Sequence, residues 1–209
     1  MSARPRIAVI DYGAGNLVSI DQALTAVGAD VAIVADAAVL GPADALIVPG
    51  VGAAAPAMAR LRAAGLVTPI VDWIRAGRPF LGICLGLQLL FERSDEDDAP
   101  TLGVLTGHTV RLEEAPTLPH IGWNQVERSR AHPLFDGIDR DADFYFVHSY
   151  AGRPGPVDDP AILAMTEHGD RFVSAVARGA LLGVQFHPER SGRDGLQLLS
   201  NFVAIAAAA

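Results

Sequence analysis

A chain of 209 residues, half of them hydrophobic, suits one α/β domain or two small ones with a sizeable core. A formal net charge of -8 and a pI of about 5.1 argue against a general binder of nucleic acid or membrane surfaces, which needs clustered cations. The single cysteine excludes an internal disulfide and fits a reducing cytoplasm.

All 16 cationic side chains are arginine, which with the many alanines reads as genome composition. No apolar run reaches the ~18 residues of a membrane span, and the N-terminal apolar stretch ends at Asp11, too short for a signal peptide.

The first half alternates in type. Strands are expected at Ile7 to Ile10, Val31 to Val34, Ala45 to Val48 and Pro79 to Ile83. Helices are expected at Leu17 to Val27, Met58 to Ala64, Val67 to Ala76 and Leu85 to Glu92. Short apolar strands alternating with helices imply a parallel, doubly wound sheet with ligands at the carboxyl ends of its strands. The turn Gly13-Ala14-Gly15-Asn16 follows a strand but lacks the third glycine and the acidic residue of a dinucleotide fingerprint.

The second half changes character. Ser94-Asp95-Glu96-Asp97-Asp98 reads as a solvated acidic turn, and Arg153-Pro154-Gly155-Pro156 as a surface turn. Short strands are expected at Val104 to Leu112, Asn124 to Val126, Phe144 to Val147, Ala161 to Met165 and Phe172 to Ala177, as an antiparallel addition to the sheet. Leu181 to Val184 reads as a strand and residues 192–207 as a closing helix. With no repeat and no long linker, residues 1–209 read as a single domain.

The chemistry concentrates at Gly82-Ile83-Cys84-Leu85-Gly86. A nucleophile between glycines at a strand-to-helix turn is the layout of a nucleophile elbow. The glycines leave room for the tight turn, and a helix N-terminus behind Cys84 favours the reactive thiolate. A second segment, Gln185-Phe186-His187-Pro188-Glu189, follows a strand. His187 can take the thiol proton, and Glu189 can hold its tautomer and stabilise the imidazolium. At i and i+2 on extended backbone the two side chains point the same way. No His, Cys, Asp or Glu cluster has metal-ligand spacing, so no metal or cofactor is expected.

With these segments and the turn Pro49-Gly50-Val51-Gly52, the chain resembles the class I, triad-type glutamine amidotransferases from about Ile7 to Phe202. Three further segments, Leu118-Pro119-His120-Ile121-Gly122-Trp123-Asn124, Phe144-Tyr145-Phe146-Val147-His148-Ser149-Tyr150 and Gly195 to Phe202, resemble the glutaminase subunits of imidazole glycerol phosphate synthases. The resemblance implies a flavodoxin-like sheet, mostly parallel and flanked by helices. It implies glutamine hydrolysis through a Cys84 thioester, with ammonia passing to a separate (β/α)8-barrel cyclase subunit as obligate partner in a heterodimer.

The resemblance also assigns roles. The oxyanion donors would be Leu85 N–H and the turn at Val51 and Gly52, which a partner would switch on by reorienting it. Gly50, Gln88, His148, Ser149 and Tyr150 would meet the amino-acid end of glutamine. Trp123, Asn124, Tyr145 and Arg190 would lie near the partner interface; so would Asn16, unless it simply caps a helix. The chain departs from the family pattern at Leu87, where methionine is expected, at Ala53-Ala54-Ala55, where a bulkier aromatic is usual, and at Arg190, where lysine is common. Three other readings stay open: an amidotransferase feeding anthranilate or aminodeoxychorismate synthesis, a stand-alone amidase, and a non-catalytic binding relative.

Overall fold

The computed structural model describes residues 4–153 and 159–209. The surface turn expected at Arg153 to Pro156 lies, from Pro154 onward, outside the described residues. In chain order the strands are β1 (Arg6–Ile10), β2 (Asp30–Val34), β3 (Ala45–Val48), β4 (Phe80–Ile83), β5 (Arg93–Ser94), β6 (Ala99–Pro100), β7 (His108–Arg111), β8 (His120–Gln125), β9 (Glu127–Arg128), β10 (Asp143–His148), β11 (Tyr150–Arg153), β12 (Ile162–His168), β13 (Asp170–Arg178) and β14 (Leu181–Val184). The helices are α1 (Leu17–Ala26), α2 (Ala54–Ala63), α3 (Val67–Arg75), α4 (Leu85–Gln88) and α5 (Gly192–Ala207).

The main sheet runs β2-β1-β3-β4-β14-β13-β12-β9. Its first five members pair in parallel, in the flavodoxin-like order whose ligands bind outside the strands' carboxyl ends. β3, β4 and β14 are buried along their whole length, as strands covered on both faces must be. Two apolar cores result. α1 and α5 pack with Ile7, Val9, Ile47 and Leu81 on one face, and α2 and α3 with Ala8, Ile10, Leu46 and Phe80 on the other.

β13, β12 and β9 extend the sheet antiparallel, as expected for the strands read at 161–165 and 172–177. The strands read at 104–112, 124–126 and 144–147 do not join it. β8 pairs with β10 in a separate ribbon, and β7 lies with β11, β5 and β6 in a four-stranded sheet. Alternation reveals a strand but not its partner, because pairing is decided by which apolar face finds cover.

Candidate active site

β4 delivers Cys84 to the carboxyl edge of the sheet, where it adopts φ 53°, ψ -109°. Such a conformation costs an L-residue about 1–3 kcal/mol and persists only where its surroundings over-determine it. Cys84 N donates to Val184 O at 2.8 Å, and Cys84 O accepts from Leu87 N at 3.0 Å and Gln88 N at 3.2 Å. The strain sits on Cys84 itself, since neither Gly82 nor Gly86 has a positive φ.

The two glycines are therefore needed for close approach rather than for turn conformation. A Cβ on Gly82 would lie 2.6 Å from Gly86 O, and one on Gly86 would overlap the Val48 carbonyl oxygen. Gly86→Ala is expected to destabilise the fold by about 3 kcal/mol or more, because backbone rather than a pliable side chain must yield. Urea unfolding measures this, and an unchanged midpoint would refute the close-packing role.

The helix behind Cys84 is shorter than read, ending at Gln88 instead of Glu92. Beyond it the carbonyls of Leu89, Leu90 and Phe91 accept from the backbone N–H groups of residues 102–105. Leu85, as the first residue of α4, keeps an N–H with no intrahelical acceptor.

β14 brings His187 beside β4. The loop after it is not extended as read: Pro188–Arg190 forms one 3-10 turn, with His187 as its cap. That turn still places His187 Nδ1 2.8 Å from Glu189 Oε1, with both side chains buried. A carboxylate oxygen only accepts, so Nδ1 carries a proton and Nε2 is the nitrogen left to exchange one with Cys84. Nε2 is buried without a partner at full bonding geometry, while Cys84 lies within electrostatic reach of the ring. Burial opposes the imidazolium, but the Cys84 charge and hydrogen bonding, then those of Glu189, outweigh it and lift His187 from 6.5 to about 10.

Cys84 opens into a cavity of about 280 Å³, at the small end of ligand pockets and suited to an amino acid. Its lining includes Val51, Gly52, Leu85, Gln88, His148, Ser149 and Tyr150, all read from sequence as oxyanion or substrate residues. Gly50 is buried beneath the turn: the Tyr12 hydroxyl, which donates to Pro49 O at 2.9 Å, occupies the space its Cβ would need. Burial, then the Cys84 charge, raises the Tyr12 pKa well above its ordinary value. Gly52 has φ +91° and open space around it, and Val51 is 48% exposed.

Residues 95–98 form an exposed turn, as read, and from it Glu96 also lines this pocket. Burial first, and the Asp97 charge second, raise its pKa. No local sequence signal marks this, because the loop is folded back by pairing between β5 and β6.

His148 continues into a buried chain of polar groups. Its Nδ1 donates to Tyr150 O at 2.9 Å, so its Nε2 must accept from His120 Nδ1 at 3.1 Å. His120 Nε2 is then free to accept from Asn124 Nδ2, 3.4 Å away, which also donates to Glu167 O at 3.0 Å. Burial dominates both imidazoles: it holds His148 down at about 3 despite the Tyr150 bond, and with the His168 charge holds His120 at about 4. Both rings stay neutral at physiological pH.

The residues expected near a partner divide. Trp123, Tyr145 and Arg190 form one surface cluster: the two aromatic rings meet edge-to-face at 6.0 Å, and the Arg190 guanidinium lies 4.1 Å over the Tyr145 ring. Trp123 is 56% and Ile121 60% exposed, on the same face of β8. Asn124 alternates to the other face, in the histidine chain. Asn16 caps α1, accepting from Ser19 N at 3.3 Å. The cluster is tied to His187, because His187 N donates to Tyr145 O at 2.9 Å and Ser191 Oγ bridges Tyr145 N and His187 O.

The family model for class-I glutamine amidotransferases matches residues 8–206. The chain belongs to that family. The amidotransferase is 47% identical over 214 residues to the imidazole glycerol phosphate synthase subunit HisH of Synechococcus elongatus, covering all of this chain and 97% of that protein. It is 50% identical over 210 residues to the subunit of the same name from Thermosynechococcus vestitus, covering 98% and 99% of the two chains. Among solved structures, PurLQS from Thermotoga maritima shares the amidotransferase fold with a TM-score of 0.75 at 18% identity, over 97% of this chain and 99% of that one. Among the described residues no group of His, Cys, Asp or Glu could hold a metal ion, and no helix is long and apolar enough to cross a membrane.

Proposed function

We propose that this amidotransferase is the glutaminase subunit of an imidazole glycerol phosphate synthase. As one cytoplasmic domain, it would hydrolyse glutamine and pass ammonia to a separate cyclase subunit in histidine biosynthesis. The observation that carries the reading is the Cys84–His187–Glu189 constellation opening into an amino-acid-sized pocket. The full-length likeness to subunits of that name supports the choice of synthase over other amidotransferases.

Cys84 attacks the side-chain amide carbon of glutamine from its strained perch. The oxyanion that forms is met by Leu85 N–H and by a backbone N–H of the Val51–Gly52 turn. The first cause raising His187 is the Cys84 charge. That charge disappears as the C–S bond forms, so His187 becomes a stronger acid when the departing nitrogen needs a proton. Glu189 keeps the imidazolium from becoming too acidic to regain its proton from water, which then hydrolyses the thioester. Gln88 and the 148–150 segment hold the amino-acid end of the substrate. Glu96 supplies the pocket's carboxylate for the substrate ammonium group. The exposed Trp123, Ile121 and Tyr145–Arg190 surface meets the cyclase.

The test is glutamate release by the chain alone, then with a cyclase subunit and an acceptor analogue. A rise of about 10² to 10³ in the complex is expected, the worth of one oxyanion donor brought into place at the Val51 turn. Equal rates with and without the partner would favour an independent amidase. No turnover in either state would overturn the reading.

A further inference from the structure

Gln185 lies two residues before His187, is fully buried, and is not among the pocket-lining residues. Its backbone N donates to Ser174 O at 2.9 Å, anchoring it to β13. Its side-chain Nε2 lies 3.6 Å from Cys84 Sγ, and its Oε1 accepts from Gln88 Nε2 at 3.1 Å. Gln88 Nε2 also donates to the Tyr150 carbonyl at 2.7 Å. The orientation of each amide follows from these contacts. A carbonyl oxygen only accepts, so it fixes which end of Gln88 faces it. Gln88 then presents N–H to Gln185, and turning the Gln185 amide over would set two NH2 groups against each other. The His148 bond takes the other lone pair of Tyr150 O, and that imidazole does not titrate in the working range. One end of the series is thus a fixed backbone acceptor and the other is the sulfur.

We propose that Gln185 is a thiolate-stabilising donor for Cys84, its amide aimed by Gln88 and Tyr150 so that an N–H meets the sulfur. The proposal rests on the reading of Cys84 as nucleophile and deepens it. A hydrogen bond strengthens when its acceptor is ionised. The contact therefore favours the resting thiolate, and favours it again as leaving group when water cleaves the thioester. It also restrains the sulfur to the side of the pocket where the amide carbon arrives. The other titratable groups within electrostatic reach are His187 and Tyr12, with Glu96 on the pocket wall. Substitution of Gln185 leaves all three in place.

Two variants separate donation from space-filling. Gln185→Met keeps the volume and loses both polar contacts. Gln185→Glu keeps an acceptor for Gln88 and loses the donor. Alkylation of the folded chain by iodoacetamide across pH reads the thiolate, and glutamine turnover in the complex reads catalysis. In Gln185→Met the alkylation midpoint is expected to move up by about one pH unit, the worth of a hydrogen bond to a charged group, and in Gln185→Glu by more, because a carboxylate then faces the thiolate. The turnover number should fall about tenfold, with KM changed less, because Gln185 does not line the pocket and the Tyr150 carbonyl still holds Gln88. If Gln185→Met fails to fold, Gln185→Leu, which also lacks the donor and adds no charge, decides. An unmoved midpoint in a folded variant, or Gln185→Glu behaving as wild type, overturns the proposal while leaving Cys84 as nucleophile. Full glutamine-dependent synthesis by Cys84→Ala would instead remove the nucleophile reading, and the proposal with it.

Discussion

Cys84→Ala is expected to abolish glutamine-dependent synthesis by the complex, by about 10⁴-fold or more, while synthesis supplied with free ammonia proceeds unchanged. The size follows from covalent catalysis: without the sulfur no thioester forms, and the residual rate is what binding and oxyanion donors provide. The loss should not come from unfolding. Alanine keeps the Cβ, the backbone bonds to Val184, Leu87 and Gln88 do not involve the side chain, and only one heavy atom is lost from a residue that borders the pocket. The ammonia-dependent arm distinguishes loss of the nucleophile from damage to the partner. Glutamine-dependent synthesis near the wild-type rate in Cys84→Ala would exclude Cys84 as nucleophile.

The parallel half of the fold was legible because its signals are local. β3 and β14 span the same residues as the apolar runs that announced them, and α5 ends where the periodicity ends. Where the reading failed, the deciding atoms are distant. α2 begins at Ala54, before the residues read as helix, and its cap residue Ala53 offers no side chain to the first turn. Asp97 supplies the acceptor, taking a hydrogen bond from Ala55 N at 2.6 Å across 42 residues of chain. The same acidic segment is the exposed turn that was read, and composition did not show that it also places Glu96 on the pocket wall. α4 stops early for a similar reason, its continuation paired with residues 102–105.

The grouping of Cys84, His187 and Glu189 was legible because two short motifs each suggest a mechanism. Gln88 and His148 were named from the resemblance, but Gln185 and the bond from His120 to His148 were not, although one clue was available. Alternation linked His187 with Glu189, and extended one step back along the chain it reaches Gln185. His120 and His148 face each other across the β8–β10 ribbon in register. That pairing could be found only once the ribbon was known to stand apart from the main sheet.

Glu189→Gln asks how much of the site depends on one buried charge. The amide can still accept from His187 Nδ1, or turn over and stabilise the wrong tautomer, so turnover should fall by about 10³-fold or more. The pH dependence of stability gives an independent reading. His187 is raised from 6.5 to about 10 in the folded chain. A raised imidazole contributes stability that is fully present below the unfolded value near 6.5 and is lost as pH climbs through about 10. Wild type should therefore lose stability steadily across that window. In Glu189→Gln the hydrogen bond and charge of the carboxylate no longer lift His187, its folded pKa moves back toward 6.5, and the decline should flatten. Urea unfolding from pH 6 to 10.5 measures both curves. If they run parallel, Glu189 orients the ring without stabilising its charged form, and the thiolate of Cys84 alone holds the proton on His187.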